Sequence, residues 1–319
     1  MKLLILTLLL TWNAFAVRED QFPQLWNREI AAHFETGEVV DFTNAQGLRL
    51  RSYAFTKPEN SKSLVIVTGR SEASVKYAEL IYDMRDWGYD LFILDHQGQG
   101  FSERLLKDTQ KGHVLSFNDY VRDLEQWMTE VVRPRSLGHR YYLLSHSMGG
   151  AVATLFMAQR PTFFKRAVLS APMFEINTDP YSEAVARVYA AFLVKIRRGA
   201  NYAPGRGPYV PENDTFAANE VTHSEVRFEA SKEQLQRFPE IIVAGATARW
   251  VDSGLKATRT IDQLAPGIST PVLLLQAGID TYVLPGRQRS FCEKHRDCTR
   301  LEYGEAFHEI LMERDAIRD

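Results

Sequence analysis

Cysteine is scarce in this sequence of 319 residues, which contains only Cys292 and Cys298. Two cysteines with only His295 between them lack a fourth ligand, so we expect no metal site. In an exported protein a pair six positions apart can close a small disulfide, and two free thiols are the alternative.

An excess of charge of one sign is also missing. The chain has 38 Lys and Arg against 40 Asp and Glu, a net charge of -2, which argues against nucleic acid as a partner. Hydrophobic residues make up 45% of the chain and charged residues 24%, as in an ordinary globular protein. The length suits one sizeable α/β core with an insertion.

No hydrophobic run is long enough for a transmembrane helix. The apolar run at residues 3–12 spans about ten residues, and a bilayer needs about twenty. It follows Met1-Lys2 and precedes Ala14-Phe15-Ala16, so residues 1–16 are predicted to be a signal peptide, with an uncleaved anchor as the alternative. We therefore expect an exported protein, periplasmic or extracellular, with peripheral membrane contact as a further expectation.

Short apolar runs alternate with helical patterns along most of the chain. Such runs lie at 64–67, 91–94, 141–144, 166–169 and 271–276, and two further strands are predicted at 38–42 and 48–55. The alternation predicts a mostly parallel sheet covered by helices on both faces. It stops between residues 173 and 267, which we interpret as a mainly helical cap inserted between core segments 17–172 and 268–319.

Ser147 lies between a predicted strand and a predicted helix, in Ser145-His146-Ser147-Met148-Gly149-Gly150. A strand-to-helix turn of this kind exposes a nucleophilic serine and leaves no room for large side chains two residues to either side. Gly149 fills the far side. Ser145 stands where glycine is usual, and it is small enough for the turn to survive. A small-residue turn without chemistry is the alternative.

Serine needs a base and an orienting acid, which follow it in this arrangement in the order Ser, Asp, His. Asp280 comes directly after the strand at 272–276, and His308 lies in a loop after a predicted strand at 299–303. Ends of parallel strands meet at one rim, so Ser147, Asp280 and His308 are predicted to form a catalytic triad. Asp297 is the rival acid, but it lies between the two cysteines.

The negative oxygen that forms during acyl transfer needs two backbone donors. The Met148 N–H follows the nucleophile at the start of a helix. The loop after the strand at 64–67 supplies the second donor, for which we predict the Arg70 N–H. The alternative is that Arg70 is a surface arginine whose amide has no role.

The sequence resembles the monoacylglycerol lipase and bacterial lysophospholipase group of α/β-hydrolases, more closely the latter, over about residues 20–319. The motifs that carry the resemblance include the Ser147 turn, Asp95-His96-Gln97-Gly98-Gln99-Gly100-Phe101-Ser102, Gly69-Arg70-Ser71-Glu72, Thr222-His223-Ser224 and Phe307-His308-Glu309-Ile310-Leu311. The resemblance implies an α/β-hydrolase fold and cleavage of a fatty acyl ester from a single-chain lipid.

Residues of the cap offer candidates for binding the substrate. Arg227, Arg237 and Arg249 could pair with a lysophospholipid phosphate, because guanidinium matches phosphate geometry. Apolar residues of the cap either line an acyl pocket or form the core of the cap: Phe228, Leu235, Phe238, Ile241, Ile242 and Trp250. Arg227, Arg249 and Trp250 are the substrate-binding residues that we predict.

The predicted function is therefore two-step acyl transfer on a lysophospholipid, without cofactor or metal. A monoacylglycerol lipase, a small-ester carboxylesterase and, less favoured, a peptidase would use the same triad. A non-catalytic binding module would require loss of a triad residue, and none is missing.

Overall fold

One eight-stranded sheet organises the chain. The computed structural model describes residues 16–318, so the predicted signal segment lies almost wholly outside the described residues. The strands are β1 (Glu38–Thr43), β2 (Arg49–Phe55), β3 (Ser63–Val67), β4 (Asp90–Leu94), β5 (Tyr141–His146), β6 (Ala167–Ser170), β7 (Val272–Ala277) and β8 (Cys298–Tyr303). Their order is β1-β2-β4-β3-β5-β6-β7-β8, and only β2 runs antiparallel to its neighbours. The mostly parallel sheet predicted from the alternation is confirmed.

Helices cover both faces of this sheet. The α-helices are α1 (Phe22–Leu25), α2 (Ala31–Glu35), α3 (Ala78–Met84), α4 (Phe117–Trp127), α5 (Arg133–Arg135), α6 (Met148–Gln159), α7 (Glu183–Lys195), α8 (Glu225–Arg237), α9 (Ala248–Thr258), α10 (Gly286–Lys294) and α11 (Asp315–Arg318). The π-helical turns are Trp26–Ile30 and Met128–Val132. The 3₁₀ turns are Ser74–Tyr77, Pro211–Asn213, Phe216–Ala218, Pro239–Ile241, Ile261–Gln263, Ala265–Gly267 and Ile310–Met312.

The hydrophobic core lies on both faces of the central strands. All five residues of β4 are buried, as expected for a strand covered on both sides. Alternate residues of β3 and β4 pack against α4 and α6 on one face, and against α3 and the N-terminal helices on the other. At the sheet edge, β1 alternates between more and less exposed positions. The burial pattern thus follows the position of each strand in the sheet.

Residues 173–267 contain α7, α8, α9 and short turns, without a strand among them. Helices α7 and α9 pack against each other. Helix α8 instead contacts the N-terminal helices, where the Trp26 indole donates to Glu233 at 3.2 Å. Across residues 16–318, the structure contains no helix both long and apolar enough to cross a bilayer.

Candidate active site

Ser147 occupies a sharp turn between β5 and α6. Its backbone has φ 49° and ψ -117°, a conformation that L-residues rarely adopt and that stores strain. A Cβ atom at Gly149 would lie 2.2 Å from the Val67 carbonyl oxygen, so this position accepts only glycine. The Ser145 side chain fits in the turn, where it is buried and its hydroxyl donates to the Val168 carbonyl at 3.4 Å. The turn therefore forms with serine in place of the usual first glycine.

The three residues predicted to form a triad are hydrogen-bonded in series. His308 Nε2 lies 2.8 Å from Ser147 Oγ, and His308 Nδ1 lies 2.7 Å from Asp280 Oδ2. Asp280 Oδ1 accepts the backbone N–H groups of Tyr282 and Val283, each at 2.9 Å. The distances suit an acid that orients a base, and a base that can accept the serine proton.

The charge state of Asp280 determines the direction of these hydrogen bonds. Burial raises the pKa of Asp280, but the hydrogen bond and charge of His308 and the two backbone amides lower it by more, so the net shift is downward. The ionised carboxylate therefore accepts the Nδ1 proton of His308. The Nε2 atom is then left as the acceptor for the Ser147 hydroxyl.

The two predicted oxyanion donors are the backbone amides of Met148 and Arg70. Met148 is the first residue of α6, where a helix leaves N–H groups without intrahelical partners. The Arg70 N–H has no acceptor among residues 16–318. Arg70 follows β3, which pairs with β5 so that Val67 lies opposite Ser145. The predicted pair of oxyanion donors is thus at the same rim as the serine.

The loop that carries Arg70 is held by a side chain outside the predicted site. Gln99 Nε2 donates to the Gly69 carbonyl at 2.7 Å and to the Glu72 carbonyl at 3.3 Å. Gln99 Oε1 accepts the Ser71 N–H at 3.3 Å. Gln99 belongs to one of the motifs that carry the family resemblance, so its position in that motif was the available signal.

A buried ionic network behind the triad was not predicted. His146 Nδ1 lies 3.0 Å from Glu72 Oε1, and its Nε2 lies 3.3 Å from the His308 carbonyl oxygen. Lys76 pairs with Glu72 at 2.9 Å and also with Glu309. His146 directly precedes Ser147, and a side chain at that position of the turn is expected to point away from the nucleophile. It does, and it thereby joins the Arg70 loop to the His308 loop.

The charges of this network reinforce one another. Burial raises the pKa of Glu72, but Lys76, His146 and Tyr77 lower it by more, so the net shift is well downward. Burial lowers the pKa of His146, but the Glu72 carboxylate raises it by more, so the net shift is upward. The network therefore favours ionised Glu72 facing protonated His146.

The assignment of Arg227 to a substrate phosphate needs correction. Its guanidinium is buried and donates to Glu79 Oε1 at 2.9 Å, to the Glu313 carbonyl at 2.8 Å and to the Val17 carbonyl at 3.0 Å. It also pairs with Asp315 at 3.2 Å. Because protein acceptors take its donors, Arg227 is not available to a phosphate.

Some of the other predicted cap residues are buried in the core, and others are partly exposed. Trp250 is buried in the main core, with its ring centroid 5.5 Å from that of Phe117. Arg249 is partly exposed beside Gly199 and has no ion pair within residues 16–318, so its role in phosphate binding stays a prediction. Ala230, Leu235, Phe238 and Ile241 pack with the N-terminal helices, which favours a core over an acyl pocket there.

Cys292 and Cys298 are joined as a disulfide.

Comparison with known proteins shows the family of this chain. The Hydrolase_4 family, described as serine aminopeptidase, S33, matches residues 58–315. This chain belongs to that family. It is 35% identical over 310 residues to lysophospholipase L2 of Escherichia coli strain K12, covering 94% of this chain and 90% of the relative. It is 28% identical over 284 residues to the monoglyceride lipase of Mus musculus, covering 86% and 85%. The resemblance drawn from the motifs is confirmed.

Solved structures agree on the fold. The monoacylglycerol lipase of Paleococcus ferrophilus superposes with a TM-score of 0.64 at 22% identity, over 83% of this chain and 93% of that one. A carboxyl esterase of Bacillus coagulans superposes with a TM-score of 0.66 at 14% identity, over 86% and 92%. The fold is that of the α/β-hydrolases, as predicted, and the protein is an enzyme of that class.

Proposed function

We propose that this protein is a lysophospholipase, which hydrolyses the fatty acyl ester of a single-chain phospholipid. The observation that carries the proposal is the hydrogen-bonded series Ser147, His308 and Asp280 at the sheet rim. The names of the relatives support a lipid ester as substrate, because a lysophospholipase and a monoglyceride lipase both match along most of their length.

The first step is acylation of Ser147. His308 Nε2 takes the hydroxyl proton while Ser147 Oγ attacks the ester carbonyl. The negative oxygen accepts hydrogen bonds from the Met148 and Arg70 amides, each worth about 3 kcal/mol in the transition state. Protonated His308, oriented by the Asp280 carboxylate, then gives its proton to the leaving alcohol, which departs as the C–O bond breaks.

The second step releases the fatty acid. Water replaces the alcohol, and His308 takes a proton from it as its oxygen attacks the acyl-serine. The tetrahedral intermediate forms at the same two amides, and its collapse returns the proton to Ser147 Oγ. Both steps use the side chains of Ser147, His308 and Asp280 and the Met148 and Arg70 amides.

A monoacylglycerol lipase is the second candidate, because relatives with that activity in their names match the chain. Both reactions break the same kind of bond at the same atoms. They differ in the alcohol that leaves, which is a glycerophosphodiester in one case and glycerol in the other. The two candidates are therefore distinguished by the headgroup.

The test is hydrolysis of lysophosphatidylcholine, a monoacylglycerol of the same chain length and a short nitrophenyl ester. Wild type is compared with Ser147→Ala and with the control Ser269→Ala, whose serine is exposed before the start of β7 at the opposite rim. We expect the highest kcat/KM on the lysophospholipid and loss of all activity in Ser147→Ala alone. Activity confined to the monoacylglycerol or the short ester would contradict the lysophospholipase proposal.

We also propose that the protein is exported and acts at a membrane surface. The predicted cleavage point precedes Val17, whose backbone nitrogen donates to Asp83 at 2.8 Å. An α-ammonium group there would convert this hydrogen bond into an ion pair. The disulfide suits an oxidising compartment. The intact mass of the protein recovered from the periplasm tests export, and a mass that retains residues 1–16 contradicts cleavage.

The exposed surface of α7 supports the membrane part of this proposal. Val185, Val188, Tyr189 and Phe192 are each about half exposed or more and recur at helical spacing on one face. Lys195, Arg197 and Arg198 are exposed at the end of the helix. Apolar side chains flanked by cations are the arrangement that binds an anionic lipid surface.

A further inference from the structure

The Arg70 side chain is a cation without a carboxylate partner, next to the proposed active site. Its Nη2 donates to the Ala244 carbonyl, and its Cζ lies 5.3 Å from the centre of the Trp250 ring. Its Nε is buried and has no acceptor among residues 16–318. Buried charges in proteins are normally paired, as Arg227 is with Glu79. The unpaired guanidinium therefore requires an explanation.

The space around this guanidinium is shaped for it. A Cβ atom at Gly112 would lie 2.7 Å from Arg70 Nη2 and 3.3 Å from its Nε. Glycine at 112 therefore leaves room for the guanidinium beside the backbone, on the side of the Trp250 ring. A cation held by a carbonyl and an aromatic face keeps its charge while leaving a donor for a ligand.

A second unpaired cation lies nearby. Arg206 is exposed, and within the described part of the chain it has no ion pair. Burial lowers the pKa of Arg70 to about 10; Tyr120 acts in the opposite direction, and the charge of Arg206 adds to the decrease. Arg206 also acts on Tyr282, whose ring centroid lies 5.3 Å from that of His308. Backbone contacts place the two arginines on neighbouring loops. The Gly207 carbonyl, next to Arg206, accepts the Gly245 N–H at 2.9 Å, and the adjacent Ala244 carbonyl accepts Arg70 Nη2.

We propose that Arg70 and Arg206 bind the phosphate of a lysophospholipid substrate and so select its headgroup. Two guanidinium groups without carboxylates repel each other until an anion lies between them, and guanidinium donors match phosphate oxygens. A monoacylglycerol has no such anion. The inference rests on the proposed lysophospholipase function. It assigns the phosphate to Arg70 and Arg206, whereas the sequence had suggested Arg227.

The kinetic test compares kcat/KM on lysophosphatidylcholine with kcat/KM on a monoacylglycerol of the same acyl chain. The variants are Arg70→Met, which keeps the backbone amide, Arg206→Gln at the surface, and the control Arg237→Gln. We expect the ratio to fall by about tenfold or more in the first two variants, as for loss of a charge-assisted hydrogen bond, and to stay the same in the control. Any damage to the oxyanion loop affects both substrates and cancels in the ratio. An unchanged ratio in both Arg70→Met and Arg206→Gln overturns the proposal.

A binding test separates this proposal from the proposed function. Ser147→Ala protein, with and without Arg70→Met, is titrated with lysophosphatidylcholine below its micelle concentration, with the monoacylglycerol and with inorganic phosphate. We expect Arg70→Met to weaken only the lysophospholipid, by about tenfold. If wild type does not hydrolyse the lysophospholipid, the proposed function fails, and this titration still decides on the phosphate site. Inorganic phosphate that binds as tightly as the lipid, with the same dependence on Arg70, would identify a free-anion site and overturn headgroup selection.

Discussion

Gly149 shows most directly how single residues make this site possible. It lies two residues after Ser147, where a Cβ atom would meet the Val67 and Thr68 carbonyl oxygens at 2.2 and 2.5 Å. Val67 is the last residue of β3 and Thr68 follows it directly, so neither backbone oxygen can move aside without displacing the strand. The close approach of α6 to β3 also keeps the Met148 amide near the Arg70 loop. Packing and chemistry thus depend on the same missing side chain.

We predict that Gly149→Ala lowers stability by about 3 kcal/mol or more and reduces activity in the protein that still folds, because overpacking against backbone cannot relax. Gly267→Ala is the matched control, since a Cβ atom there has no neighbour within 4 Å. Its free energy of unfolding should change by less than about 1 kcal/mol. Denaturant unfolding of both variants checks this. Equal stability of the two would contradict the close-packing explanation.

At the scale of structural elements, the buried pair of Glu72 and His146 joins the loop after β3 to the loop after β8. The pKa of His146 is raised in the folded protein, so its contribution to stability is complete below the unfolded pKa of about 6.5. That contribution is lost as pH rises through the folded pKa. Glu72 has a lowered pKa and stays ionised throughout this range. The pair therefore stabilises the loops more in mildly acidic than in alkaline solution.

We predict that His146→Gln costs about 3 kcal/mol at about pH 6 and less at about pH 9. In a Glu72→Gln background, the cost of His146→Gln should no longer fall as pH rises, because the carboxylate that raised the pKa of His146 is gone and burial lowers that pKa. Unfolding free energies of the four proteins at the two pH values form the measurement. A cost that rises with pH in the wild-type background contradicts the ion pair.

Helix α7 is the element proposed to contact a membrane surface. Its exposed apolar side chains do not contribute to the core, so Val188→Glu with Phe192→Glu should leave stability nearly unchanged. We predict that this double variant loses binding to anionic vesicles and hydrolyses micellar lysophospholipid more slowly, while hydrolysis of a soluble short ester is retained. Val39→Glu, at an exposed position on the edge strand β1, is the control. Unchanged vesicle sedimentation in the α7 variant would rule out this membrane face.

Sequence patterns predict the strands and the order of the triad residues, but not the polar contacts between distant elements. The central strands and the order of Ser147, Asp280 and His308 follow from local patterns. Ser147 and Asp280 come shortly after apolar runs, and His308 lies in the loop after the next predicted strand. The partners of Arg227 are 148 and 88 residues away in Glu79 and Asp315, and nothing in the local sequence links them. The contact of His146 with Glu72 spans 74 residues. Local sequence patterns therefore do not predict these long-range polar contacts.

At the scale of the whole molecule, Arg227 connects segments that are distant in sequence. From α8 it contacts Glu79 in α3, the Val17 carbonyl near the N-terminus and Asp315 in α11. We predict that Arg227→Met lowers stability by about 3 kcal/mol, because buried Glu79 loses this partner and keeps Arg318 at 3.3 Å. Headgroup selectivity should stay unchanged. Arg237→Met, whose exposed ion pair with Glu35 is worth at most about 1 kcal/mol, is the control. Thermal unfolding distinguishes the two, and a change in headgroup selectivity without loss of stability in Arg227→Met would restore the phosphate role.

The acyl-enzyme on Ser147 is the central element of the proposed mechanism, and trapping it is the most direct test. Wild type and Asp280→Asn are mixed with lysophosphatidylcholine, quenched in acid during the first turnover and digested for mass spectrometry. The account predicts that the peptide containing Ser147 gains the mass of one acyl group in wild type, and that Asp280→Asn acylates about 10⁴-fold more slowly. Product formation without acylation of Ser147, or acylation of another residue, would contradict it.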